Sequence, residues 1–194
     1  MEIGATKAVQ DRLKTTKIEE SKGASLVFCW DTHLTKIKGR NVLFIVNASN
    51  RYTIAMTDIE PRNWNYYTMY IRSVIHGVMQ EMGYSEDQIG QYFKMSGDTT
   101  VTKTHGRKSV GGINRMVMDA QYFGKKLEKE AKYQWELSEY LNRYICQPEG
   151  FDAYGYPSEL FKLDMERLGI AAKRKPAKVI DFTKYIDTNR SNNH

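Results

Sequence analysis

Near residue 60 the hydrophobic period of this chain changes, so its fold must accommodate strands before that point and helices after it. Residues 26–30, 42–46 and 51–56 are short apolar runs. The middle one, Val42-Leu43-Phe44-Ile45-Val46, is rich in β-branched and aromatic side chains and is the strongest strand signal in the chain. Asn47-Ala48-Ser49-Asn50 is a polar link of hairpin length, so the last two runs pair antiparallel and the three make a meander. Residues 1–5 read as a further short strand, which Thr6 hands over as N-cap to a helix through Leu13. Residues 14–24 read as a loop.

Beyond residue 60, Tyr67, Ile71, Val74, Val78 and Met82 recur every three or four positions, the stripe of a helix over 64–82 that Gly83 ends. Ser85 and Gln88 stand at capping-box spacing and open a short helix to about residue 93. Residues 98–104 alternate, as in a strand or an extended arm. From Ser109, the positions Val110, Ile113, Val117, Ala120, Leu127, Ala131, Leu141 and Ile145 predict one long helix as far as Cys146, with a kink near Gly124 and a stop at Pro148 and Gly150. Pro157 opens a last helix to about residue 168. The expected fold is α+β: a small antiparallel sheet covered by helices, with a long helix in the C-terminal half. The expected division is one domain over 1–146, a linker with a short packed helix over 147–170, and a basic, flexible tail over 171–194.

At 194 residues the chain can bury a core without metal or disulfide staples. Cys29 and Cys146 lie far apart in apolar settings, which excludes a disulfide framework and gives no metal-ligand spacing. No apolar run follows the first charges, and none approaches the length of a membrane span. A cytoplasmic protein of a bacterial host cell, without metal, cofactor or membrane, is the expectation. The net charge of +6 favours polyanionic partners. Its placement is uneven. Lys103, Arg107, Lys108 and Arg115 form one basic concentration with no acid between them, and Lys173, Arg174 and Lys175 open a second in the tail.

The first basic concentration surrounds Thr104-His105-Gly106-Arg107-Lys108-Ser109-Val110-Gly111-Gly112-Ile113-Asn114, where an extended arm meets a helix N-terminus. Three glycines and free helical N–H groups make this a phosphate-binding corner on one reading. On the other, Gly111 merely lets the helix press on the sheet and Arg107 meets a buried carboxylate. There is no Walker-type or dinucleotide fingerprint.

The spacing Thr104, Arg107, Gly111, Asn114 resembles the T-x-x-R-x-x-x-G-x-x-N signature of an uncharacterised bacterial domain family found on plasmids and other mobile elements. Ala5-Thr6-Lys7 with Leu13-Lys14, and the strand 42–47 ending in Asn47, are similar to that family too. Lys108 and Arg115 depart from its usual residues and make this copy more basic. The resemblance implies a fold and a mobile-element setting, and no mechanism.

Three functions are carried forward from these residues. The first is a non-enzymatic counter-defence inhibitor, anti-CRISPR-like, contacting a host Cas-type nuclease or its guide RNA through Lys103, His105, Arg107, Lys108 and Arg115, with Lys173, Arg174 and Lys175. The second is a metal-independent ribonuclease centred on His105, with His33 or His76 as a partner. The third is a structural or regulatory module for plasmid maintenance. Trp64, Tyr66, Tyr67 and Tyr70 are aromatics that stack bases in some proteins. Tyr67 and Tyr70 fall on the apolar stripe, which leaves Tyr66 with Arg62 as the exposed pair.

Overall fold

A computed structural model of the chain describes residues 1–15 and 18–172. Five strands form one mixed sheet in the order β4-β3-β2-β1-β5: β1 (Glu2–Ala5), β2 (Cys29–Ile37), β3 (Arg40–Asn47), β4 (Thr53–Thr57) and β5 (Thr100–Thr102). The expected antiparallel meander is present as β2-β3-β4. The N-terminal strand adds something that alternation does not reveal: β1 runs parallel to both β2 and β5. The second strand is also longer than its apolar run. Leu26–Phe28 is a 3-10 turn, and the strand continues through polar residues to Ile37. Lys38 and Gly39 then turn it with φ of 49° and 83°, the left-handed pair that a two-residue hairpin requires.

The helices are α1 (Lys7–Leu13), α2 (Pro61–Asn65), α3 (Tyr67–Glu81), α4 (Glu86–Ser96), α5 (Gly106–Gln121), α6 (Trp135–Asn142) and α7 (Pro157–Arg167). The capping box at the start of α4 is complete: the Ser85 hydroxyl accepts the Gln88 N–H, and the Gln88 side chain accepts the Ser85 N–H. Both faces of the sheet are covered, and strand alternation divides the core. Ile3, Trp30, Leu43, Ile45 and Ile54 pack under α3, α4 and α7, while Val42, Phe44, Val46 and Ala55 pack under α5 and α6.

The long helix expected from residue 109 begins three residues earlier and stops at Gln121. Residues 122–134 instead run along the open edge of β4. The Thr57 N–H donates to the Lys132 carbonyl, the Gln134 N–H donates to the Ala55 carbonyl, and Met56 bridges Tyr133. Arg40 holds this segment down by donating to the Glu128 carbonyl at 2.7 Å and pairing with Asp58. Leu127, which looked like a helical stripe residue, reaches the core from this segment. α6 completes the edge. The Asn142 amide accepts the Thr53 N–H and donates to the Thr53 carbonyl, both at 2.8 Å, and the Ser138 hydroxyl accepts the Ala55 N–H. An edge strand thus has its free backbone groups satisfied partly by the backbone of residues 132–134 and partly by side chains of α6, instead of by another regular strand. Lys173, Arg174 and Lys175 lie outside the described residues, as does nearly all of the tail.

Candidate functional site

The sheet face beneath the start of α5 is polar. In β1 and β2 the register sets Glu2 beside Cys29 and Gly4 beside Asp31, so all four point to the face opposite Ile3 and Trp30. His105, the N-cap of α5, lies between the two carboxylates. Its Nδ1 is 2.7 Å from Asp31 and its Nε2 is 3.0 Å from Glu2. Asp31 also accepts the His105 backbone N–H at 3.2 Å and the Ser109 hydroxyl. Glu2 accepts the Lys22 N–H at 2.8 Å. The Asp31 side chain is completely buried, and a Cβ on Gly4 would come within 1.8 Å of its Oδ1. Only glycine leaves room for that carboxylate.

Burial alone would push the His105 pKa down, but hydrogen bonding and charge from Asp31 and Cys29 together outweigh it and raise the value to about 10. Burial works upward on Glu2, and its hydrogen bonds from Ser21, His105 and Lys22 hold it below the usual carboxylate range. The anion at the expected phosphate corner is therefore the protein's own Asp31, which accepts at the helix N-terminus where such a ligand was expected to sit. The fold also gathers Glu2, Cys29 and His105, which no spacing had joined, with ligand atoms within 4.8 Å of one another. Here the Nε2 of His105 faces Glu2, and the Cys29 thiol lies 3.5 Å from the Ser25 carbonyl as a donor. His33 is half-buried beside Thr6, and His76 pairs with Glu86, so each has a partner of its own.

The remaining residues of the basic loop face outward. Lys103 pairs with Glu20 at the surface. Lys108 donates to the Pro148 carbonyl at 3.3 Å. Thr104 is half-buried, whereas Arg107, Gly111 and Asn114 of the signature are exposed on successive turns of α5. Arg115, paired with Asp119 at 3.2 Å, and the exposed Met118 and Tyr122 extend that stripe. Gly111 faces open space. Its neighbour Gly112 is the glycine that matters, because a Cβ there would meet three atoms of the Arg51 guanidinium at 2.5–2.7 Å.

Arg51 had read as a strand residue. It sits in the link between β3 and β4 in the left-handed region, with φ 62°, and is half-buried. Together with Arg115, Asp119, Tyr144, Gln147 and Tyr154 it lines a cavity of about 520 Å3 beside α5. Tyr154 is largely open at the rim and Tyr144 less so, and Tyr144 is steadied edge-on by Tyr140. Tyr66 and Arg62 are exposed as expected, while Trp64 stacks on the buried Tyr67.

A family model for a domain of unknown function, DUF6933, matches residues 2–160. The chain belongs to that family. The match takes in β1, the meander, the buried His105 cluster and all of α5. Neither a curated protein nor a solved structure matches the chain. No helix among the described residues is long and apolar enough to cross a membrane.

Proposed function

We propose that this protein is a non-catalytic basic binding protein that takes single-stranded RNA along the exposed face of α5. The observation that carries the reading is the make-up of that face: Arg107, Asn114, Arg115, Met118 and Tyr122 all meet solvent, and Arg115 connects them to a cavity rimmed by Tyr144 and Tyr154. Guanidinium groups take phosphates without regard to sequence, and open aromatic faces stack bases, which together is how single strands are held. The geometry of His105 supports the non-catalytic part. A general acid or base must come within hydrogen-bond reach of the reacting group, and both ring nitrogens of His105 are committed to buried carboxylates. In the counter-defence setting expected from the sequence, the RNA is the guide of a host nuclease.

The test is fluorescence anisotropy with labelled single-stranded RNA at about 50 mM salt, run in EDTA. Expected are saturable binding, intact RNA afterwards, and at least a tenfold loss of affinity in the double variant Arg107→Glu, Arg115→Glu. Binding indifferent to that reversal would remove the reading. RNA cleavage that a His105→Ala variant no longer performs would transfer the function to the ribonuclease.

A further inference from the structure

We infer that the cavity between Arg51 and Arg115 is a binding site for a nucleoside phosphomonoester, that is, for one nucleotide carrying a terminal phosphate. The starting point is the state of Arg51. Among the described residues no hydrogen bond or ion pair reaches its guanidinium, although Arg40, Arg72, Arg115, Arg143 and Arg167 all have partners. A half-buried guanidinium without a counter-charge forfeits hydration and gets no ion pair in return, unless an anion arrives to supply one.

The seat of that side chain is built. Asn47 Oδ1 accepts the N–H groups of Ser49 and Asn50, and Asn50 Oδ1 accepts the N–H of Tyr52. The Asn50 amide is tied in turn to Asp164 at 2.9 Å. The Arg51 N–H donates to the Asn47 carbonyl at 2.9 Å, so its backbone is fixed in the left-handed conformation from which the side chain departs. The guanidinium then lies over Gly112, where any larger residue would displace it. Every part of this arrangement holds a positive charge at the cavity wall.

Charge and size narrow the ligand. Arg51 and Arg115 face the cavity against a single acid, Asp119, which already pairs with Arg115. Two guanidinium forks suit the three terminal oxygens of a monoester better than the two free oxygens of a diester within a chain. A volume of about 520 Å3 lies within the range of small-ligand sites and admits one nucleotide, with Tyr144 and Tyr154 at the rim to stack its base.

Such a phosphate comes either from an RNA end or from a free mononucleotide. The RNA source rests on the reading of α5 above, and the free source does not. The experiment compares otherwise identical labelled RNA oligonucleotides with a 5′-phosphate, a 3′-phosphate or hydroxyl ends, and adds adenosine and uridine 5′-monophosphates as competitors. An affinity gain of at least tenfold from one terminal phosphate, lost in both Arg51→Gln and Gly112→Ala, supports an RNA end. Saturable mononucleotide binding that is lost in Arg51→Gln, without any gain from terminal phosphate, supports the free nucleotide. Absence of both effects overturns the inference, and the RNA reading then stands or falls on the hydroxyl-ended oligonucleotide. Because Gly112→Ala can also perturb α5, the Arg51→Gln result decides if the two variants disagree.

Discussion

His105 binds the two oldest problems of a buried charge into one arrangement: its own desolvation, and that of the carboxylates on either side. With a folded pKa raised to about 10, above an ordinary 6.5, the protonated imidazole stabilises the fold fully below about pH 6.5. That contribution is lost as pH rises through 10. Glu2 shifts the other way, so its contribution is complete above its ordinary value of 4.5 and is lost in acid. Urea midpoints are thus expected to be highest at about pH 5–6.5 and to decline toward pH 10, by at most about 1.4 kcal/mol per pH unit. In His105→Gln the two buried carboxylates lose their counter-charge, which costs about 3–5 kcal/mol near neutrality. The variant should also lose the alkaline decline. A decline of equal slope in wild type and variant would mean that His105 is not the titrating group. Gly4→Ala tests the same cluster from below: its Cβ collides with Asp31, and a loss of about 3 kcal/mol or more is expected in the same urea titrations.

At the scale of elements, what was legible follows from how local each signal is. The antiparallel pairing of the meander, the stripe of α3, the capping box and the Pro157 start of α7 are written in residues that touch their near neighbours, and all are present. Their bounds differ in two places: β2 starts three residues after its apolar run does, and the helix expected from residue 64 is broken at Tyr66. The parallel placement of β1 was not legible, because Glu2 and Asp31 meet only through a pairing between segments far apart in sequence. The same reason hid the candidate site. His105 was visible as a residue, but no spacing in the sequence marked Glu2 and Asp31 as its carboxylate partners. Arg51 belonged to an extended run until the fold brought Gly112 beneath it. The false long helix came from Leu127 and Ala131, which keep a helical stripe while their segment pairs with the edge of β4. Asn142 is the side chain that makes this edge solution work. Asn142→Ala strips the Thr53 N–H and carbonyl of their buried partners, and a loss of about 2–4 kcal/mol in urea midpoint stability is expected. A change under about 0.5 kcal/mol would show that water replaces the amide there.

For the molecule as a whole, the charge of +6 bears on association, and the fold decides which part of it an anion meets. Lys103 spends its charge on Glu20, Lys125 on Glu136 and Lys132 on Glu60, leaving the α5 face as a basic surface with few acids among the described residues. Each phosphate neutralised on a single strand releases condensed counterions and adds about 0.7 to the steepness of log K against log salt. If Arg107 and Arg115 each take one phosphate, Arg107→Gln with Arg115→Gln should flatten that slope by about 1.4. Both side chains are exposed, so folding stability should stay within about 0.5 kcal/mol of wild type. A drop in affinity alone would not distinguish a lost contact from a disturbed fold, and the paired measurement does. A flattened slope with unchanged stability assigns the phosphate contacts to α5, whereas weakened binding at an unchanged slope means that the two guanidiniums act on something other than phosphate.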